Sequence, residues 1–414
     1  MIEGTDFERC LAWIDDRHDR LVRDLVRLAE INSGSYNRDG LERMASELTA
    51  LFGCLESTQE RLELPDAPEI DDDGATVSRP LGPLLRMRKR DDAPLRVLLV
   101  GHMDTVFGPS HPSQKTRALP ENRLGGPGVA DLKGGLLVML TALTALERSP
   151  WAQNIGWEVL INPDEEIGSP GSIPYLLESA GRCAIGLVYE PAMPDGALAR
   201  ARKGSGNFSA VFKGRAAHAG REIHLGRNAI RAAADFASTI DDLNGKRPGV
   251  TVNAGRIHGG GAVNVVPDLA TVHFNVRVET EADQGWVEER LESLRSEIDA
   301  RDGIGATLQG QFSRPPKAID AAHQRLFDLL RTCADALEVD LDWRDTGGCC
   351  DGNNLSAAGL PNVDTLGVVG GGIHGAEEYV ELDSLTARAR LSALLLMGLA
   401  SGRLQWDSVG GARS

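Results

Sequence analysis

A histidine and an aspartate two positions apart, His102 and Asp104, close the apolar run in LLVGHMDTVF. A metal-binding imidazole must be neutral and oriented, and a neighbouring carboxylate can hold its second nitrogen. Taken alone, such a pair is more often an ordinary turn histidine and its neighbour. GGPGVADLKGG sets Asp131 among glycines that let the backbone approach closely. Alone, Asp131 reads first as a helix cap. Neither GxGxxG nor GxxxxGK[ST] is matched there, so a phosphate loop is disfavoured. INPDEEIGS strings Asp164, Glu165 and Glu166 after another apolar run. Like charges crowded in a partly buried place are costly unless something cationic compensates. IGLVYEP adds Glu190, and the glycine-rich GGGIHGAEEYV adds His374. Either of these alone would more often be structural.

The set means more than its members. His102, Asp131, Glu166, Glu190 and His374 are two imidazoles and three carboxylates. Nitrogen and carboxylate oxygen suit zinc, and also cobalt or manganese. Five such ligands can hold two ions if one carboxylate bridges, and two ions about 3.5–4 Å apart form a clamp used in hydrolysis.

Such residues need a frame that brings distant segments to one place. Arg96–Val100, Trp157–Ile161 and Ile185–Tyr189 are short apolar runs that read as buried parallel strands. A strong helical pattern follows Asp131, and others cover Phe7–Ile31, Leu41–Phe52, Asp320–Val339 and Ser384–Leu404. Alternation of strand and helix predicts an α/β fold, a mostly parallel sheet with helices on both faces. Open sheets of that kind place their sites at the carboxyl ends of the strands, where these polar clusters fall. The pattern changes near residue 204. Asn207–Lys213 and Ala270–Val278 alternate as one-sided strands, and helices cover Asn228–Leu243 and the stretch around Trp286–Ile298. That predicts an inserted α+β domain with an antiparallel sheet over 204–313, inside a catalytic domain formed by 1–203 and 314–414. Pro65–Pro83, rich in Asp, Pro and Gly, reads as a loop.

Composition narrows the function. The 414 residues suit roughly two domains. Lys and Arg total 44 against 60 Asp and Glu, a net charge of −16 that argues against a nucleic-acid partner. No apolar run is expected to approach the roughly 20 residues of a membrane helix. The start, MIEGTDFERC, shows no secretory pattern, and six sparse cysteines make no disulfide scaffold. A cytoplasmic protein with no membrane partner is the expectation.

GHMDTV, GPGVADLKGG, DEEIGS, GRAAHAG and the His374 loop, in that order, resemble the dinuclear zinc peptidase and deacylase family. That family includes glutamate carboxypeptidase, aminoacylase, acetylornithine deacetylase and succinyl-diaminopimelate desuccinylase. The likeness spans about residues 90–400. YEP and the TGG-x-x-D segment at Thr346–Asp351 resemble the glutamate carboxypeptidase branch most. The resemblance implies two Zn2+ per chain, with Co2+ or Mn2+ as alternatives. Asp131 would bridge, His102 and Glu190 would complete one site, and Glu166 and His374 the other. It implies Glu165 as the general base acting on a metal-held hydroxide, and Asp104 as the carboxylate that orients His102. His218 of GRAAHAG would reach the substrate carbonyl oxygen, in some members across a dimer interface. Asn264 and Arg277, 277 − 264 = 13 positions apart, would bind the substrate's free carboxylate.

The expected function is therefore hydrolysis of an amide in an N-acyl amino acid or dipeptide-like substrate, by a homodimer joined through the inserted lid/dimerisation domain. An aminopeptidase or dipeptidase of the same fold is the alternative, and an inactive binding protein a distant third. Cys349-Cys350 departs from the family pattern. These cysteines read as small apolar residues lining the loop, or else as oxidation-sensitive thiols or an altered substrate pocket.

Overall fold

The computed structural model describes residue 2 and residues 4–406. Residues 1, 3 and 407–414 lie outside it, and with them part of the stretch read for a signal and the end of the span 314–414. Six strands form the central sheet in the order Thr58–Leu62, Leu84–Lys89, Gly156–Asn162, Arg96–His102, Ile185–Val188, Asn362–Val363. The last four run parallel, and Leu84–Lys89 pairs antiparallel on both sides. Gly156–Asn162 and Ile185–Val188 are buried throughout, as strands covered on both faces must be. Alternate side chains feed two cores. Val97 and Leu99 join the packing of the helices Thr5–Asp15, Gly135–Arg148 and Asp383–Ala400, while Leu98 and Val100 join Leu176, Ala180 and Leu355 on the other face. The expected α/β sheet with helices on both faces is present.

Several local expectations change. Phe7–Ile31 is two helices, Thr5–Asp15 and His18–Ala29. The chain breaks where Arg17 N–H turns to the Ile14 carbonyl at 2.9 Å, just after the Asp15-Asp16 pair, whose short side chains favour helix ends over interiors. Pro65–Pro83 contains a hairpin, Ala67–Ile70 with Thr76–Arg79, turned by Gly74 at φ 72°. The helical segment Val129–Arg148 runs 20 residues at mean hydropathy 1.6, so one stretch does reach membrane-spanning length, contrary to expectation. It is 89% buried within the protein, packed on Asp383–Ala400 and Thr5–Asp15, and a helix apolar all round belongs in a core.

A second sheet is wholly antiparallel, in the order Thr251–Gly259, Leu269–Val278, Gly204–Lys213, Gly305–Arg314. Ala270, Val272, Phe274, Val276 and Val278 alternate into its core, as their spacing predicts, and Thr271 is buried on the opposite face. The helices Ala229–Asp241 and Glu281–Asp299 cover that core, where Phe208, Phe212, Phe236 and Phe274 make ring contacts 5.4–5.6 Å between centroids. This sheet enters from and returns to the central unit at the isolated bridge Arg202–Lys317. Asp364 clamps both ends there, at 2.8 Å from Arg202 Nε and 2.7 Å from Lys317 Nζ.

Candidate active site

Parallel register carries the site. His102 pairs with Asn162, and Val100 with Val188, so the segments after three adjacent strands open at one edge. His102 ends its strand; Glu165 and Glu166 follow Asn162; Glu190 follows Val188 by two residues. Asp131 comes in from the turn Val129–Gly134, one turn ahead of the helix that starts at Gly135, and its side chain caps nothing. It turns to two histidines instead. Oδ1 lies 3.1 Å from His102 Nε2, and Oδ2 lies 3.2 Å from His374 Nε2. His374 Nε2 is also 3.1 Å from Glu166 Oε2, and His102 Nε2 is 3.8 Å from Glu190 Oε2. Two groups of potential ligand atoms result, each within 4.8 Å: His102, Asp131, Glu190 and Asp131, Glu166, His374. The five residues singled out as ligands are thus brought together, around one shared aspartate.

The donor set fits divalent ions. Each group is one imidazole against two carboxylates, buried or half-buried except for the exposed His374, with nitrogen and oxygen donors that suit zinc, cobalt or manganese. Burial and the neighbouring Asp131 charge push the Glu166 carboxyl up to about 7, and burial pushes Glu190 up to about 8 despite His102. Burial works the same way on Asp131, but His102 and His374 outweigh it and hold this carboxyl below the usual range. Hydrogen bonds to Asp131 and Glu166 raise the His374 imidazole to about 11. Such mutual perturbation marks a place that dications would relieve.

Around this cluster the chain is tightly braced. Asp104 is fully buried and does more than orient His102. The nearer partner of His102 Nδ1 is the Asp104 carbonyl oxygen at 3.0 Å, with the carboxylate at 3.4 Å. The carboxylate accepts instead from Ser35 Oγ at 2.8 Å and from the N–H groups of Glu165 and Glu166 at 3.1 and 3.2 Å. It therefore holds the acidic turn. Of the three consecutive acids, Asp164 faces away and accepts the N–H groups of Gly171 and Ser172, ahead of the helix Ile173–Ala180. Glu165 is left beside the cluster with its carboxyl raised to about 8 by burial, against the pull of Arg314. Glu378 was not singled out from sequence. It accepts the N–H groups of Gly128, Ala130 and Asp131 at 3.0, 2.9 and 3.1 Å, and so fixes the backbone that carries Asp131.

The second sheet supplies the remaining expected residues, but not all at one end. Ser205 pairs with both Arg277 and Arg314, so these three lie in one row at the end nearest the cluster. Arg277 Nε donates to Asn275 at 3.0 Å and Nη1 to Cys349 Sγ at 3.0 Å. Cys350 is buried and accepts the Gly352 N–H at 3.3 Å, while Cys349 is half-buried beside Arg277. Asn264 and His218 are exposed in loops at the opposite end, where Ala219 N–H donates to the Asn264 carbonyl at 2.9 Å. Between Leu269 and Arg277 lie 277 − 269 = 8 strand positions, roughly 27 Å of extended chain. Within one chain, then, Asn264 does not pair with Arg277 and His218 does not reach the cluster. A cleft of about 940 Å³ opens beside Glu166, walled by the hairpin through Glu69, by Tyr36, and by Ser209, His273 and Gln311 of the sheet.

Known proteins resemble this chain over most of its length. The chain is 25% identical over 402 residues to carboxypeptidase G2 of Pseudomonas sp. (strain RS-16), covering 94% of this chain and 91% of that protein. It is 29% identical over 343 residues to succinyl-diaminopimelate desuccinylase of Nitrosospira multiformis, covering 75% and 85%. In fold it is similar to a dinuclear metal-binding peptidase of Bacillus subtilis, with TM-score 0.63 and 16% identity over 93% of this chain and 99% of that one. The model of peptidase family M20/M25/M40 matches residues 98–398, which hold all five residues of the cluster. With most of its length inside that match, the chain belongs to peptidase family M20/M25/M40 and is a metallohydrolase.

Proposed function

We propose that this protein hydrolyses the amide bond of an N-acyl amino acid or dipeptide-like substrate that bears a free carboxylate. The observation that carries this reading is Asp131, one carboxylate facing two histidines with a second acid beside each. His102 and Glu190 would hold one ion, Glu166 and His374 another, with Asp131 between them; two Zn2+ suit these donors best, and Co2+ or Mn2+ also fit. When bound, the ions would lower the pKa of a water toward neutrality and polarise the scissile carbonyl. Glu165, next in chain to Glu166, would take the proton from the attacking water and deliver it to the leaving amine. Asp104 keeps Glu165 and Glu166 in register by accepting both of their N–H groups. Arg277 stands at the cluster end of its strand, where its fork would hold the substrate's carboxylate in a way lysine cannot reproduce.

His218 and Asn264 serve this chemistry only from a second copy. Exposed Ile223, Leu225, Ile257, Val263 and Val265 lie in the same loops and the neighbouring edge strand, an apolar surface that suits a homodimer joined through the 204–313 unit. The relatives that are carboxypeptidase and desuccinylase favour a substrate with a free carboxylate and a blocked amine. Six unpaired cysteines favour a cytoplasmic setting, which fractionation of the source cells would check. The metal-loaded enzyme is to be tested on matched N-blocked and free-amine substrates, scored by amine release. Faster turnover of the free-amine forms would overturn this reading in favour of an aminopeptidase or dipeptidase. Glu165→Ala is expected to keep its metal and lose turnover; near-normal turnover with metal bound would remove Glu165 from its role.

A further inference from the structure

Asp104 holds the Glu165 backbone, but the Glu165 carboxylate takes its partner from the other sheet. Arg314, the last residue of the strand Gly305–Arg314 and only 2% exposed, reaches it from the antiparallel unit. Nη2 donates to Glu165 Oε1 at 2.9 Å, to the Glu165 carbonyl at 3.2 Å and to Ser169 Oγ at 2.8 Å. Nη1 faces Asp351 Oδ1 at 2.7 Å. Asp351, 1% exposed, is fixed in turn by Ser169 Oγ at 2.6 Å and Asn162 Nδ2 at 2.8 Å. One guanidinium thus spans two carboxylates from different segments. If its task were only to neutralise Asp351, no contact to both the side chain and the carbonyl of Glu165 would be needed.

We propose that Arg314 is a positioning residue that sets the Glu165 carboxylate and ties it to the seating of the antiparallel sheet. The proposal rests on the reading of Glu165 as the general base. A glutamate at the tip of a turn has three side-chain torsions to order, and an arginine fork anchored on Asp351 orders them before substrate arrives. Because Arg314 ends a strand of the other unit, a displacement of that strand moves the base as well. The residue that receives the proton is therefore placed correctly only when both units are docked.

Arg314→Lys keeps the buried charge but replaces the fork with a point donor. A misplacement of about 1 Å costs roughly 10²-fold in rate, so kcat is expected to fall about 100-fold. KM should stay within about twofold, with metal content and melting temperature close to the parent protein's. In a Glu165→Gln background the same change should cost nothing more, since there is no base left to place. Unchanged kcat in Arg314→Lys, or an equal further loss in the Glu165→Gln background, overturns the proposal. If Glu165→Gln itself keeps turnover, the reading of Glu165 fails; if it loses turnover while Arg314→Lys does not, only the positioning role fails. Should Arg314→Lys melt early, Arg314→Gln combined with Asp351→Asn removes both buried charges together and takes its place with the same expectations.

Discussion

Glu378 shows how a residue can matter to a candidate metal centre without joining its cluster. Its carboxylate collects three backbone N–H groups around Asp131, and burial raises it to about 7. Glu378→Gln would turn an amide nitrogen toward one or more of those donors, leaving buried groups unpaired at a cost of about 1–3 kcal/mol. Outer partners of ligands typically contribute 10–100-fold in metal affinity. A chelator-competition titration of Glu378→Gln is therefore expected to show weaker metal binding by about that factor. Unchanged affinity would show that Asp131 is held by something else. The five clustered residues were legible because histidine and acid types recur just after apolar runs, at His102, Glu166 and Glu190, or within glycine-rich stretches, at Asp131 and His374. Glu378 was not, because an acid that serves backbone N–H groups has no type or spacing that separates it from its exposed neighbour Glu377.

At the scale of elements, caps and core rings offer cleaner tests than the site does. His323 opens the helix Ala321–Ala336, where Asp320 accepts its backbone N–H at 2.8 Å and faces its Nδ1 at 2.8 Å. Burial lowers the imidazole pKa below the ordinary value, with Asp320 opposing. The unfolded chain then binds a proton near pH 6.5 that the folded chain resists. Stability is lost as the pH falls from about 7 toward the lower folded value, and levels off below it. His323→Gln is expected to lose less melting temperature than the parent between pH 7.5 and pH 5.5; an equal loss would acquit His323. In the antiparallel unit, Phe236 is fully buried against Phe212 and Phe274. Phe236→Ala should cost about 3–5 kcal/mol, read by denaturant unfolding. The hairpin within Pro65–Pro83 escaped the sequence because its strands are four residues each and include Pro68, too short for alternation to register.

For the whole molecule, the questions are metal and partner. If both ions bind the folded state alone, saturation stabilises it by mass action, by about 4 kcal/mol for a site at 1,000 times its dissociation constant. Removing metal with a chelator is expected to lower the melting temperature and abolish turnover, and zinc should restore both. A melting temperature indifferent to chelator would argue that the cluster is not a metal centre. The two-copy reading of His218 makes a sharper forecast. Glu165→Ala and His218→Ala protomers should each be inactive alone, yet mixed dimers should regain activity. In those dimers one site has its own Glu165 and the partner subunit's intact His218. No recovery on mixing would mean that His218 acts within its own chain or not at all. Two bound dications would also move the formal charge from −16 to −12, with the added positive charge set among Asp131, Glu166 and Glu190, where an anionic substrate would otherwise be repelled.

What the sequence determined by itself was local and chemical. Apolar runs ending in His102, Asp164–Glu166 and Glu190 define buried parallel strands with reactive ends, because period and residue type are properties of short segments. The motifs around them specify the family. Only the tertiary structure decided which acids face the cluster and which do not. Asp164 and Glu165 are adjacent in sequence, yet one turns to the start of a helix and the other to Arg314, 149 residues away. It also decided that Asn264 and Arg277, 13 positions apart, sit at opposite ends of a sheet, because a strand lies between them. Side-chain direction and distance between strand ends arise from packing and register, and neither is written in the identity of any single segment.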